Sequence, residues 1–258
     1  MNNRTPILTG YYTMVRKDFV RIIRIWSQTL LPPAVTTGLY FAIFGVFIGS
    51  QVQSIHGFPY IQFIVPGIIM MSVITSAYMN TVSTFYFAKW QRTIDELLVS
   101  PMPSWTVIAG FVTGGLMRAA LTGVVVVIVA LFFTHLTVFS IGIILAAVFL
   151  TALLMSLLGL INAIFAKSFD AISIVPTFVL TPLTYLGGVF YSVDQLPEFF
   201  RIISMANPIL YMVNAFRYGF LGISDVPMSL AFGVMGGLTI AAFLVTLFLF
   251  RNGAGLKN

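Results

Sequence analysis

Residues 138–165 read VFSIGIILAAVFLTALLMSLLGLINAIF, a run without a single Asp, Glu, Lys or Arg. Wound as a helix at about 1.5 Å per residue, it is longer than the roughly 30 Å of hydrocarbon in a bilayer. Outward from this stretch, comparable apolar runs recur at 30–49, 61–86, 107–133, 171–191 and 228–250. Of the 258 residues, 59% are hydrophobic and 8% charged, whereas a soluble domain carries about 25% charged residues to solvate its surface. The fold expected is an all-α membrane protein with about six transmembrane helices. Neither a soluble domain nor a tandem repeat interrupts it, so 1–258 is one membrane domain.

The distribution of charge sets the expected topology. The net charge of +6 is not gathered on a polar domain, as binding to nucleic acid would require. Arg4, Arg16, Lys17, Arg21 and Arg24 precede the first span, Lys89 and Arg92 follow the second, Lys167 follows the fourth, and Arg251 and Lys257 follow the last. Of the intervening turns, 51–60 has no Lys or Arg, 134–137 has only His135, and the long 192–227 segment has Arg201 and Arg217. The positive-inside rule then puts both termini in the cytoplasm. At the N-terminus, residues 9–27 read as an interfacial helix, with Tyr12, Val15, Phe19, Ile22, Ile23 and Trp26 on one face and Lys17, Arg21 and Arg24 on another. It is either a basic anchor on anionic lipid or a partner-binding element. Pro32 and Pro33 suit an elbow into the first span. That span is expected to stay in the protein, because the order of a cleavable signal peptide is missing.

Several chemistries are excluded. With no cysteine there is no disulfide, thiolate metal site or cysteine nucleophile. His56 and His135 lie in separate turns without carboxylate neighbours in sequence, so they read as surface histidines, and neither a catalytic nor a metal site is expected. No Gly-rich, Lys-containing phosphate loop is present, so ATP hydrolysis is not expected on this chain. Asp18, Asp95, Glu96, Asp170, Asp194, Glu198 and Asp225 all fall at interfaces or in loops, which argues against an ion-coupled carrier. Arg118 is the one charge read as deep within a span, at a cost of about 2.5–3.5 kcal/mol on insertion scales. Two readings of it stand: it bonds to neighbouring helices, or it lines a substrate path.

Two segments carry more specific information. Residues 85–110 read FYFAKWQRTIDELLVSPMPSWTVIAG and residues 192–222 read SVDQLPEFFRIISMANPILYMVNAFRYGFLG. With the six-span layout they resemble the ABC-2 type permease family, the membrane subunits of exporters for drugs, lipids and polysaccharides. The resemblance implies that 87–103 is a coupling helix seated on an ATPase subunit, through Thr93, Asp95, Glu96, Leu97, Leu98 and Pro101. Thr93 is suited to cap that helix, and Ile94, Leu97, Leu98 and Pro101 to give it an apolar docking edge. The resemblance also makes 192–227 an external helical hairpin, marked by Pro197, Asn207, Pro208, Tyr211, Arg217 and Gly222. It further implies a bacterial inner membrane, two copies of this chain, and two copies of an ATPase that binds the ATP and Mg. A homodimer also suits the small volume that six spans enclose, with Met70, Met71, Phe85 and Phe87 as candidate apolar walls of the path. The competing readings are a gated channel, an ion-coupled carrier or a structural membrane subunit, and the substrate is open.

Overall fold

The computed structural model describes residues 4–49, 51 and 54–255; Lys257, counted above among the basic residues, lies outside them. Within that range the protein is all-helical: α1 Arg4–Arg24, α2 Trp26–Ile48, α3 Tyr60–Trp90, α4 Thr93–Val99, α5 Ser104–Leu131, α6 Ile141–Phe165, α7 Phe169–Tyr185, α8 Glu198–Met205, α9 Pro208–Leu221 and α10 Met228–Asn252. Five of these, α2, α3, α5, α6 and α10, are long and apolar enough to cross a membrane.

The centre of the bundle is α3, against which α5, α6 and α9 pack. Small residues let the backbones approach, since helix association in lipid relies on close packing rather than on hydrophobic exclusion. A methyl group at Gly159 of α6 would lie 2.7 Å from the Tyr78 carbonyl of α3, and one at Gly115 of α5 would overlap the hydroxyls of Ser156 and Thr81. Met70 and Phe85 are wholly buried in this core. They therefore do not line a path, and of the four proposed wall residues only Met71 and Phe87 reach the surface.

The fifth traverse in chain order is shorter than the sequence suggests. α7 stops at Tyr185, giving only about 25 Å of helix at 1.5 Å per residue. Pro176 and Pro182 withhold backbone donors and leave a π-turn at Pro176–Leu180, and Gly187 and the left-handed Gly188 end the helix. The crossing is completed by unwound chain. At one end of α3, the Phe169 ring lies 4.8 Å from Tyr86 and 5.9 Å from Trp90. At the other, the Phe190 carbonyl accepts from the Tyr60 hydroxyl at 3.1 Å. Residues 169–190 thus run the full length of α3, from its Trp90 end to its Tyr60 end.

The bent pair α8 and α9, at 85° to each other, is a re-entrant hairpin rather than a span. Its tip, Asn207, donates to the Leu183 carbonyl within α7. Its far end returns to the Tyr60 end, where Gly219 accepts from Phe139 N at 3.0 Å just before α6 begins. Six traverses bring the two ends of the described chain together at the Trp90 end. There Lys89 Nζ ties α3 to the end of α6 through Ile164 O at 2.7 Å, and to the last described residue through Gly255 O at 2.8 Å.

Candidate coupling and transport sites

α4 stands at the Trp90 end between α3 and α5. Its start is made by Arg92 in the left-handed region, φ +58°, with Asp95 N donating to Arg92 O at 3.1 Å. Thr93 is therefore the first helical residue and not the cap expected from the sequence; the reversal after Trp90 takes the cap position one residue earlier. Asp95 and Glu96 occupy the first turn, where the helix dipole favours them. The apolar edge is split. Ile94 is buried and Leu97 packs against the core, while Leu98, Val99 and Pro101 face outward.

Beside α4, the N-terminal helix α1 lies against α5. Its bundle-facing side is Gly10, Tyr11, Met14, Asp18 and Ile22: Met102 sits on Gly10, Met14 on Gly110, and the Tyr11 hydroxyl pairs with Thr113 Oγ1 at 2.8 Å. Tyr12, Phe19, Ile23 and Trp26, read from the sequence as the apolar face, do point outward, but Ile22 turns in. Arg21, grouped with the outward cations, also reaches inward to Asn80 Oδ1 at 3.0 Å, to Thr84 Oγ1, and to Asp18 at 3.5 Å. Burial pushes the Asp18 carboxyl above its ordinary value, against the pull of Arg21 and Lys17. A cavity of about 330 Å³ lies at this junction, lined by Lys17, Asp18 and Arg21 of α1, Thr84 of α3, and Thr93 and Leu97 of α4. α1, α3 and α4 thus share one polar-floored space.

Arg118 sits at the middle of α5 and faces a groove of about 300 Å³ between α2, α3 and α5. Arg217 is the charge the sequence misplaced. Read as a loop cation, it is the largest fully buried side chain among the described residues, held on α9. Its guanidinium donates to Gly188 O at 2.6 Å, Phe63 O at 3.3 Å and Val189 O at 3.4 Å, stands 3.9 Å over the Phe63 ring, and lies 4.0 Å from Asp225. Irregular backbone at membrane depth must find donors inside the protein, and Arg217 with Tyr60 supplies them to the unwound 188–190 segment.

The rest of the hairpin is stapled around the same point. Pro197 precedes α8, and the side chain of Asn207 caps α9 by accepting from Ile209 N, with Pro208 as its first residue. The Tyr211 hydroxyl returns to Met205 O at 2.7 Å, and left-handed Gly222 closes the helix. Residues 9–221, which hold α4 at one end of the bundle and most of the hairpin at the other, match the ABC-2 type transporter family. The chain belongs to that family. It is 54% identical over 242 residues, 94% of each chain, to the inner membrane transport permease YadH of Escherichia coli strain K12. It is 28% identical over 217 residues, 83% of each chain, to nodulation protein J of Rhizobium leguminosarum bv. viciae.

The protein is accordingly an ABC-2 permease of the inner membrane, a non-catalytic transport subunit, and its family implies a separate ATPase partner. One reading made from the sequence needs correction at the hairpin of this permease. His56, expected to stand without carboxylate neighbours, has Asp225 Oδ1 at 3.7 Å and Ser192 Oγ at 3.2 Å, and Asp194 completes a group whose ligating atoms lie within 4.8 Å of one another. Asp225 also accepts from Ser192 Oγ at 2.7 Å and from Val193 N at 3.2 Å. No local pattern could foretell this, because the partners come from three turns that only the re-entrant hairpin brings together.

Proposed function

We propose that this permease works as a homodimer with two copies of an ATPase, that α4 is the element seated in the ATPase, and that the α8–α9 hairpin faces the opposite side of the membrane. The observation that carries the reading is the division of α4. Ile94 and Leu97 fix the helix to the bundle, while Asp95, Glu96, Leu98, Val99 and Pro101 are left outward as a mixed acidic and apolar surface. A water-facing turn has no use for exposed Leu98 and Val99, whereas a groove in a partner has. Movement imposed on α4 passes directly to α3 and α5, its neighbours in the chain, and to α1 across the shared cavity. Both termini then lie in the cytoplasm, and the substrate path runs between the two copies.

The test is the double variant Leu98→Ser, Val99→Ser, which alters only the outward edge. It is expected to insert normally, to lose co-purification with the ATPase or stimulation of its hydrolysis, and to abolish export. Intact co-purification and export in this variant would remove α4 from the coupling role and favour a permease that works without docking there.

A further inference from the structure

We propose that the groove between α2, α3 and α5 binds the phosphate head group of an anionic amphiphile, with Arg118 as its counter-charge. The starting point is a contrast between two arginines at membrane depth. Arg217 is compensated by three carbonyls, an aromatic face and a carboxylate. Arg118 has none of these. Its Nε is buried without a hydrogen-bond partner, no ion pair reaches it among the described residues, and the charged neighbour that acts on it is another cation, Arg21. Asp18, which meets the same helix at Gly114, is already engaged with Arg21.

An uncompensated guanidinium in the middle of a helix that spans Ser104–Leu131 calls for an anion from elsewhere, because lipid tails offer it nothing. The groove is shaped for one. It holds about 300 Å³ and is lined by Gln28, Thr36 and Tyr40 of α2, and Thr75 and Met79 of α3, besides Arg118. Gln28, Thr36 and Thr75 are exposed, so their polar groups face the opening at a depth where a bare hydroxyl gains nothing from hydrocarbon. The Thr75 hydroxyl donates to Met71 O, so it adds no donor for an anion and is a lining position only. The Gln28 amide and the Thr36 hydroxyl join the guanidinium as donors for phosphate oxygens. Next to this polar floor, Val35 and Leu39 are exposed on α2 and give an acyl chain an apolar wall to lie along. A head group that is anionic and a body that is apolar satisfy both halves of the groove at once. As a statement about cargo, the inference rests on the export reading above; as a statement about binding, it stands on the groove alone.

The experiment uses phosphatidylglycerol and phosphatidylcholine carrying the same fluorescent acyl chain, added to the purified permease alone in detergent. The wild type is expected to retain the anionic lipid about tenfold better than the zwitterionic one, and Arg118→Gln to lose the preference. Arg118→Lys, which keeps the charge without the planar fork, is expected to keep part of it. Thr75→Asp, which supplies a carboxylate to the groove from within, is expected to abolish it with Arg118 still present, and it serves if Arg118→Gln does not fold. Unchanged preference in Arg118→Gln, or in Thr75→Asp if only that variant folds, overturns the proposal. A second arm reconstitutes the permease with its ATPase and follows ATP-driven movement of the labelled lipid between leaflets. Movement that depends on Arg118 assigns the bound amphiphile to the cargo class, and binding without movement supports the site with a resident bilayer lipid as its occupant. Failure of the complex to form counts against the α4 assignment and leaves the lipid measurement on the permease alone to decide this one.

Discussion

Arg217 does for the backbone at 188–190 what a helix would have done for itself. Replacing it by Leu leaves the Gly188 and Val189 carbonyls without their donor and Asp225 without its cation, a loss of about 3–5 kcal/mol by the standard of buried ion pairs broken on one side. A clear fall in the unfolding temperature in detergent is expected for Arg217→Leu, and a smaller one for Arg217→Lys, whose single ammonium cannot serve Phe63 O and Gly188 O together. A wild-type melting curve for Arg217→Leu would mean the clamp is dispensable. Asp18 invites the opposite expectation. Burial raises its carboxyl, so the folded protein binds a proton more readily than the unfolded chain. Stability from this group is therefore greatest at acid pH and declines as pH rises from the ordinary carboxylate value through the raised one. Asp18→Asn removes that decline, and Arg21 keeps Asn80 and Thr84 as partners. The variant is expected to melt at or above the wild-type temperature at neutral pH and to lose less stability between acid and neutral conditions. A lower melting temperature at neutral pH would show that the Asp18 charge is needed by Arg21 after all.

Among the elements, the long helices were legible because apolar composition over about 20 residues leaves them no alternative in a bilayer. α7 was legible as a crossing but not in its length, since Pro and Gly are tolerated in membrane helices when neighbours satisfy the freed carbonyls, and that neighbour, Arg217, lies in a later hairpin. In α1 the apolar face of Tyr12, Phe19 and Ile23 lies outward, and a further seam of Gly10, Tyr11 and Asp18, which a reading in two faces leaves out, meets the bundle. The residues of α4 divide between bundle and outside, Ile94 buried and Val99 exposed. Ile94→Ala is expected to cost about 2–5 kcal/mol of stability and Val99→Ser almost none, as read by thermal unfolding of the two single variants. Equal effects would erase the division on which the docking surface depends.

At the scale of the whole molecule, the correction to Arg217 sharpens the topology. A buried guanidinium bonded to carbonyls is not a cation in a loop, so among the described residues the Tyr60 end is left with Arg201, itself 3.5 Å from Asp194. The Trp90 end carries Arg16, Lys17, Arg24, Arg92, Lys167 and Arg251 as exposed cations. On the topology proposed above the Trp90 end is the cytoplasmic one, which the positive-inside rule supports, and six traverses then put α1 and the end of α10 on it together. The chain has no cysteine, so single cysteines can be placed without preparing a background. Asp194→Cys and Glu198→Cys are exposed on the hairpin, and Gln91→Cys is exposed at the turn before α4. An impermeant thiol reagent added to spheroplasts is expected to label the first two and spare the third, and inside-out vesicles to give the reverse. Labelling of position 198 from both sides would place α8 in an aqueous path rather than in a re-entrant cap. Labelling of position 91 from the periplasm would invert the molecule, carrying α4 away from any cytoplasmic ATPase and ending the coupling proposal with it.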